Sequence, residues 1–242
     1  IDDHFAVAWN IGSRLLPANT AENVVFPQRL AELQARFPYL KIGEILGDAY
    51  LGYPECLRAI YRLGALRLVD IRADPSDADP ETCLKRGYDA NGHPLCQHGY
   101  RMHPNGYDEK RRRTKWVCRR ACLREPRREG EPITPVAGCP FLEGDQPLGQ
   151  IVTVGLTLPD GSMRLAREIP YGSETWKARY GRRSLSESRN GQCEGMDLKR
   201  MRSYGLAHNE RDIQMGDWLA NLRTLGRLVT EATALHAAGR GG

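Results

Sequence analysis

Short apolar runs alternate with helical patterns along the first part of the chain. The runs at 5–9, 42–46 and 66–71 are typical of buried strands. The segments 28–37 and 53–63 lie between them and repeat apolar residues at helical spacing. This order of strands and helices predicts an α/β fold, with parallel pairing of the later strands.

The pattern changes in the middle of the chain. Residues 74–148 are rich in Pro, Gly, Cys and charged residues and show no helical repeat. The apolar segments 150–157 and 163–168 flank Pro159-Asp160-Gly161, a sequence typical of a β-hairpin turn. We therefore predict a β-rich, loop-rich insertion here.

Helical patterns return near the carboxyl end. One helix is predicted over 179–203 and another over 209–236. We accordingly divide the chain into the first part of an α/β core at 1–73, a β-rich insertion at 74–170, and the C-terminal helices of the core at 171–242.

The composition is that of a folded globular protein. Hydrophobic residues make up 40% and charged residues 27% of the 242 residues. There is no run of about 18 apolar residues, so a membrane-spanning helix is not expected. The chain has 7 cysteines and begins without a recognisable secretion signal, which favours reduced thiols in the cytoplasm.

Positive charge is concentrated in the insertion. The net charge of the whole chain is only +5, but residues 101–128 carry 11 Lys and Arg against three Asp and Glu. Such a segment is typical of a surface that binds nucleic acid, although a solvated basic surface would have the same composition. The candidate DNA-backbone contacts are Lys110, Arg111, Arg112, Arg113, Lys115, Arg119 and Arg120.

Asp48 directly follows the predicted strand at 42–46. Ligand sites in open α/β sheets lie beyond the carboxyl ends of strands, and a carboxylate there can bind a divalent cation. The alternative is that Asp48 caps the next helix or closes a turn.

Four polar residues of the predicted helix at 179–203 share one face. Tyr180, Arg183, Glu187 and Glu194 fall within an arc of about 60° at 100° per residue. A tyrosine, an arginine and a carboxylate in one stripe suit a metal and phosphate site, although exposed polar stripes are also common.

These residues resemble the signature of a large group of bacterial DDE transposases. The signature is a Tyr, an Arg three residues later, a Glu four residues after that and a Lys seven residues further on, and Tyr180, Arg183 and Glu187 match it in register. The segment 45–53 around Asp48 resembles the family's strand and second catalytic Asp. Further similar segments, in the same order as in the family, are Leu16–Glu22, Lys199-Arg200, Tyr204–Leu206 and Ala220–Leu222.

The resemblance implies an RNase H-like mixed sheet flanked by helices and interrupted by the Cys-containing insertion. It implies that Asp48 and Glu187 are catalytic and hold Mg²⁺ or Mn²⁺, with their carboxylates within about 8 Å of each other. Arg183 would hold a phosphate and Tyr180 would lie beside the transferred strand, with Lys199 as a further DNA contact. The implied activity is cleavage of element ends and strand transfer on double-stranded DNA in the bacterial cytoplasm, associated with the nucleoid. A homodimer on DNA is compatible with this activity.

Two departures from the family pattern affect this interpretation. We expect the first catalytic Asp to lie upstream of residue 1, so that the chain is an incomplete piece of a transposase. Glu194 occupies the position of the Lys and would repel the phosphate that a lysine attracts. We therefore expect salt-sensitive DNA binding and poor cleavage by this chain alone. A non-catalytic nucleic-acid-binding protein derived from a transposase, and another metal-dependent nuclease of the same fold, remain alternatives.

The insertion also contains a cluster of cysteines. Cys118 and Cys122 form a C-x3-C pair, and Cys96 precedes His98 by two residues. Together with Cys83 they match the donor types of a structural Zn²⁺ site. Cys139, His93 and His103 lie nearby in the sequence. Small buried thiols without metal are the alternative.

Overall fold

The computed structural model describes residues 9–72, 79–120, 139–141, 148–184, 191, 194–196, 198 and 204–238. The chain divides into two compact units. One comprises Ala21–Gly181, and the other combines Ile1–Thr20 with Arg182–Gly242. The strand predicted at 5–9 lies mostly outside the described residues.

A parallel strand pair with two helices begins the larger unit. Helix α1 spans Glu22–Arg36, strand β1 Glu44–Gly47, helix α2 Pro54–Arg62 and strand β2 Leu66–Val69. The two strands pair in parallel, with Gly47 opposite Val69. The predicted α/β character and the parallel pairing are confirmed.

Helix α1 begins earlier than Pro27 suggests. The sequence predicts a start directly after Pro27, but the helix begins at Glu22 and contains the proline. Proline has no N–H, so it leaves the carbonyl of Asn23, four residues earlier, without its helical donor. The thiol of Cys56 donates to that carbonyl, with Sγ 3.2 Å from the oxygen. This contact gives the Asn23 carbonyl a donor in place of the missing helical bond.

The first hydrophobic core lies between these helices and the strand pair. Leu57 and Ile60 of α2 and Val69 of β2 are buried in it together with Leu30 of α1. Leu57 and Ile60 are three residues apart and therefore share a helix face.

An antiparallel sheet forms the β-rich part of the insertion. Strands β3 (His103–Asp108), β4 (Arg113–Val117) and β5 (Ile151–Gly155) pair in that order. A second small core of Cys96, Met102 and Trp116 packs against it.

A short helix in the insertion was not predicted. Helix α3 spans Pro80–Arg86. The Asp79 side chain accepts a hydrogen bond from the N–H of Thr82 at 2.8 Å, and Gly87 ends the helix at φ +77°. An Asp cap, Pro at the first position and Gly after the last are helix signals in themselves, although seven residues are too few for an apolar repeat.

The predicted hairpin over 150–168 is correct only in its first half and its turn. Strand β5 pairs with β4, while Thr157 and Met163 form an isolated bridge around the turn. The following residues run instead toward β2. There Glu168 Oε1 lies 2.9 Å from Nε of Arg67, and the exposed fractions of the two side chains are 1% and 0%.

Gly92 allows this returning segment to pack closely. Gly92 has φ +75°, and a Cβ at this position would lie 2.5 Å from the carbonyl carbon of Leu165. A side chain is therefore excluded by the contact and disfavoured by the backbone conformation.

Helix α4 closes the larger unit. It spans Glu174–Tyr180, and the Ser173 hydroxyl accepts a hydrogen bond from the N–H of Trp176 at 3.2 Å. A 3₁₀ turn at Gly181–Arg183 follows. The predicted helix over 179–203 therefore starts too late, because the serine cap initiates the helix earlier. It is also wrong at its beginning as a single α-helix, because α4 ends at Tyr180 and Arg183 lies in the 3₁₀ turn.

The smaller unit contains the long helix α5, Leu206–Ala238, which includes the predicted segment 209–236. The side chain of Asn221 accepts from the N–H of Asn10 at 2.9 Å and donates to its carbonyl at 2.8 Å. None of the helices in the described ranges is long and apolar enough to cross a membrane.

Candidate active site

Two aspartates follow the carboxyl ends of the parallel strands. Asp48 comes directly after β1 and Asp70 directly after β2, and Gly47 and Val69 are paired in the register. The N–H of Asp70 donates to the carbonyl of Gly47 at 3.0 Å. Both carboxylates therefore belong to one edge of the sheet, where ligand sites of α/β proteins lie.

Asp48 combines a local structural role with exposure. Its Oδ1 accepts a hydrogen bond from the N–H of Tyr50 at 2.9 Å and caps the 3₁₀ turn Ala49–Gly52. The capping alternative raised by the sequence is thus confirmed. The side chain is exposed, and a carboxylate has about four lone-pair sites, so the cap leaves capacity for a cation.

Asp70 accepts hydrogen bonds from two tyrosines. Its Oδ1 accepts a short hydrogen bond from the hydroxyl of Tyr171, and its Oδ2 accepts a long one, 3.5 Å, from the hydroxyl of Tyr180. The N–H of Ile71 also donates to Oδ1 at 3.1 Å. The tyrosine that begins the transposase-like signature is therefore anchored at the sheet edge that carries Asp48.

Helix α4 is fixed to the strand pair by further contacts. The Trp176 ring stacks on Tyr180 with centroids 4.3 Å apart and packs on Tyr171 at 4.6 Å. Arg179 forms an ion pair with Glu44 of β1 at 3.2 Å. The helix thus contacts both strands.

A buried histidine holds Tyr171 from the insertion. Nδ1 of His93 lies 3.2 Å from Asp89 Oδ2, and its Nε2 lies 3.0 Å from the carbonyl oxygen of Tyr171. Burial alone would raise the pKa of Asp89, but its hydrogen bonds from His93 and the nearby positive charge hold that pKa below its ordinary value. His93 therefore links the insertion to the tyrosine that binds Asp70.

The hydroxyl of Tyr171 is expected to titrate late. Burial, the hydrogen bond to Asp70 and the charge of Asp70 raise its pKa from 10.0 to about 12. Since the unfolded chain loses this proton first, the contribution of Tyr171 to stability is complete below pH 10 and is lost as the pH rises through about 12. Alkaline titration of tyrosinate absorbance should show a late-titrating group that Tyr171→Phe removes. An unchanged titration curve in this variant would contradict the assignment.

The other predicted site residues near the carboxyl end belong to the smaller unit. Arg183 is half-buried in the 3₁₀ turn, and Glu194 is exposed. Glu187 and Lys199 lie outside the described residues, so the expected distance between Asp48 and Glu187 stays a prediction.

Three of the predicted DNA contacts line a groove on the antiparallel sheet. Arg113 and Lys115 are exposed on one face of β4, while Thr114 and Trp116 point into the protein. Arg111, Arg113 and Lys115 share this groove with Asp108. We call it the basic groove. Lys110 lies in the adjoining turn and, like Arg119, is exposed.

Two arginines of the same segment make internal contacts. Arg112 lies over the ring of Tyr61 with its guanidinium carbon 3.4 Å from the ring centroid, and it donates to the Tyr61 carbonyl. Nε of Arg120 donates to the carbonyl of Phe141 at 2.8 Å. Arg112 and Arg120 were predicted as DNA contacts from their charge alone, but these internal contacts occupy part of their hydrogen-bonding capacity.

The predicted cysteine set does not assemble as a group. Cys83 is buried in α3, where Arg86 lies 3.6 Å from its Sγ, while Cys96 and Cys118 line a separate cavity. Cys122 lies outside the described residues. Across the part of the chain that the structure describes, no three His, Cys, Asp or Glu side chains are arranged as a metal site.

Asp70, Tyr171 and His93 were not among the predicted site residues. Asp70 has a recognisable signal, because it follows β2 as Asp48 follows β1. Tyr171 and His93 have none, since each is an isolated polar residue whose partner is distant in sequence.

Comparison of the chain with protein-family models, with curated proteins and with solved structures gives no match.

Proposed function

We propose that this chain is a DDE-type DNA transposase that cleaves element ends and transfers strands in a metal-dependent reaction. The observation that carries the proposal is the contact between Tyr180 and Asp70. This contact fixes Tyr180, the last residue of α4 and the first residue of the Tyr-Arg-Glu signature, at the sheet edge where Asp48 follows β1. Tyr180 and Asp70, 110 residues apart, thus meet at this edge, and this contact supports the proposal.

The proposed core fold is RNase H-like. Support comes from the parallel pair β1 and β2, from α2 between them, and from a β-rich excursion before α4. In this interpretation the three-stranded sheet is the family's insertion.

Asp48 and Glu187 are the residues that would hold Mg²⁺ or Mn²⁺. The exposed carboxylate of Asp48 is a hard oxygen donor of the kind these cations prefer, and its place at the strand end suits an open site. When bound, the metal would activate the attacking oxygen and stabilise the leaving one.

The remaining residues position the reacting groups. Asp70 fixes the hydroxyls of Tyr171 and Tyr180. The planar fork of Arg183 suits a phosphate oxygen pair. Asp70 itself is a positioning residue in this account, because its oxygens already accept hydrogen bonds from two hydroxyls and a backbone N–H.

The basic groove is the proposed contact to the DNA backbone. Arg113 and Lys115 project from one face of a sheet whose other side is packed, so their charges are available to phosphates. Arg111 lies in the turn before β4, where it forms an exposed ion pair with Asp108 at 3.9 Å. Double-stranded DNA as substrate also agrees with the proposed location in the bacterial cytoplasm, at the nucleoid.

Lys115→Gln should weaken binding to any duplex about equally and flatten its salt dependence. Loss of one phosphate contact lowers the slope of log affinity against log salt by about 0.9. Fluorescence anisotropy of a labelled duplex over a salt series measures this slope. Lys41→Gln, which removes an exposed lysine outside the groove, is the control and should leave the slope unchanged. Equal slopes for both variants would remove the groove from the interface.

The function is tested by single-turnover nicking of a labelled duplex with protein in excess. Slow nicking that requires Mg²⁺ or Mn²⁺ is expected. DNA binding without any metal-dependent nicking would instead support a non-catalytic DNA-binding protein derived from a transposase. That alternative is favoured by one observation, the exposed Glu194 at the position of the family's lysine.

A further inference from the structure

One ring nitrogen of His93 faces two partners that require it in opposite protonation states. Its Nε2 lies 3.0 Å from the carbonyl oxygen of Tyr171 and 3.1 Å from Nη2 of Arg101. The carbonyl only accepts hydrogen bonds and requires a proton on Nε2, whereas the guanidinium only donates and requires the bare nitrogen. The two contacts therefore cannot both be hydrogen bonds in one state of the ring.

The other ring nitrogen carries a proton in both states. Nδ1 of His93 lies 3.2 Å from Oδ2 of Asp89, while Oδ1 of Asp89 accepts from the N–H groups of Asn91 at 2.9 Å and His93 at 2.8 Å. Burial raises the pKa of Asp89, but the hydrogen bonds from His93 and the charges of His93 and Arg101 outweigh it and keep that pKa below its ordinary value. Since a charged carboxylate only accepts, Nδ1 keeps its proton, and Nε2 is the nitrogen that changes.

The surroundings of the ring supply opposing influences on its charge. His93 is buried, with 1% of the residue exposed, and Trp116 of β4 packs on the ring with centroids 5.5 Å apart but carries no charge. In the described part of the chain, the charged groups at the ring are Asp89, which favours the imidazolium, and Arg101, which disfavours it by repulsion. The side chain of Arg101 is 56% exposed, so it can turn into solvent when Nε2 is protonated.

The carbonyl of Tyr171 connects this choice to the candidate active site. The hydroxyl of Tyr171 donates to Asp70, and its ring packs on Trp176 with centroids 4.6 Å apart. Gly172 follows with φ +72°, and glycine tolerates both signs of φ, so the peptide group between the two residues can turn at little cost. Loss of the bond to His93 therefore frees the backbone of the tyrosine that binds Asp70.

We propose that His93 is a positioning residue of the candidate active site, and that the proton on its Nε2 decides whether Tyr171 is held beside Asp70. In the imidazolium form, Nε2–H donates to the Tyr171 carbonyl and Arg101 turns outward. In the neutral form, the proton has passed to solvent, the bare Nε2 accepts from Arg101, and the carbonyl is released. The effect on DNA nicking rests on the proposed function, whereas the exchange of partners does not.

Nitrogen-15 NMR of the histidine rings in the full chain, recorded from about pH 5 to pH 9, tests the exchange. His93→Gln identifies the signals of His93 among those of the 6 histidines. We expect Nδ1 to carry a proton throughout and Nε2 to lose its proton as the pH rises. The Cζ signal of Tyr171, assigned with Tyr171→Phe, should shift with the same midpoint. A ring that keeps one form throughout, a neutral form protonated on Nε2, or a Tyr171 signal that does not follow His93 would overturn the proposal.

Arg101→Met tests the competition between the two partners. The variant removes both the donor that stabilises the neutral ring and the charge that repels the imidazolium, so the midpoint of the His93 titration should move to higher pH. Arg62→Met is the control, because Arg62 is an exposed arginine in the last turn of α2, and it should leave the midpoint unchanged. Equal midpoints in the two variants would overturn the role of Arg101.

Single-turnover nicking at each pH connects the exchange with activity. The ratio of the wild-type rate to the rate of His93→Gln removes the pH dependence that other steps give to both proteins. We expect this ratio to be highest at low pH and to fall with the midpoint that NMR gives for His93. A ratio that does not change with pH would indicate a merely structural role and overturn the positioning role. If neither protein nicks DNA, the proposed function fails, and the NMR result alone decides the exchange of partners.

Discussion

Replacing Glu168 with alanine is expected to lower the free energy of unfolding by about 3–5 kcal/mol, because removal of one partner leaves a buried charge uncompensated. Glu168 accepts from Nε of Arg67 at 2.9 Å, and both side chains are almost completely buried. Arg67 also donates to the carbonyl of Ala166 at 2.9 Å. The variant would therefore loosen the segment that leads to Tyr171.

Urea unfolding followed by far-UV circular dichroism measures this loss. Glu174→Ala is the matched control, because Glu174 is exposed and its ion pair with Lys177 at 3.3 Å lies at the surface. Its expected effect is below about 1 kcal/mol. The double variant Arg67→Met/Glu168→Leu removes both charges and should recover much of the stability lost in Glu168→Ala. A loss in Glu168→Ala no larger than that in the control would show that the pair does not hold the fold.

Asp48→Asn is expected to reduce metal-dependent nicking by at least about 100-fold, since losing even an outer partner of a metal ligand costs about 10–100-fold. Asparagine still accepts a hydrogen bond at a cap, so the bond to the N–H of Tyr50 and the local fold should persist. The variant therefore removes the charge that would hold the metal without removing the cap.

Asp160→Asn is the control for this loss. Asp160 is also exposed, and its Oδ1 accepts from the N–H of Ser162 at 2.9 Å, in a turn unrelated to the strand edge. Nicking by Asp160→Asn should equal that of the wild type, and both variants should melt at wild-type temperature. Equal nicking by the two variants would remove Asp48 from the site.

Local pattern was sufficient to predict the first α/β elements. Strands β1 and β2 were predicted from short apolar runs, and helix α2 from apolar residues at helical spacing. The start of α1 was not, because Pro27 lies inside the helix, and the Asn23 carbonyl that it leaves without a helical donor accepts from Cys56, a contact between distant parts of the chain. A contact between residues 33 positions apart cannot be recognised from the sequence around the proline.

The pairing of strands in the insertion could not be predicted from local sequence either. Strand β5 was expected to pair with the residues that follow it, but it pairs with β4, about forty positions upstream. Nothing in the alternation of β5 distinguishes the two partners. The segment after β5 lies instead against β2, where Glu168 forms a buried ion pair with Arg67.

Site residues could be predicted from the sequence where they follow an apolar strand or belong to a spaced motif. Asp48 could be identified because it follows an apolar strand, and Tyr180 because it begins a spaced motif. The role of Asp70 depends on two tyrosine hydroxyls about a hundred residues away. Likewise, the internal contacts of Arg112 could not be separated from those of its exposed neighbours by charge alone.

The central claim is that Asp48 and Glu187 share one metal site, and cleavage of the protein by bound iron tests it most directly. Fe²⁺ in place of Mg²⁺, with ascorbate and peroxide, cuts the backbone next to its ligands, and mass spectrometry locates the cuts. We expect cuts near both Asp48 and Glu187, suppressed by excess Mg²⁺ and by Asp48→Asn. Cuts near Asp48 without any near Glu187, or cuts that persist in Asp48→Asn, would contradict the shared site.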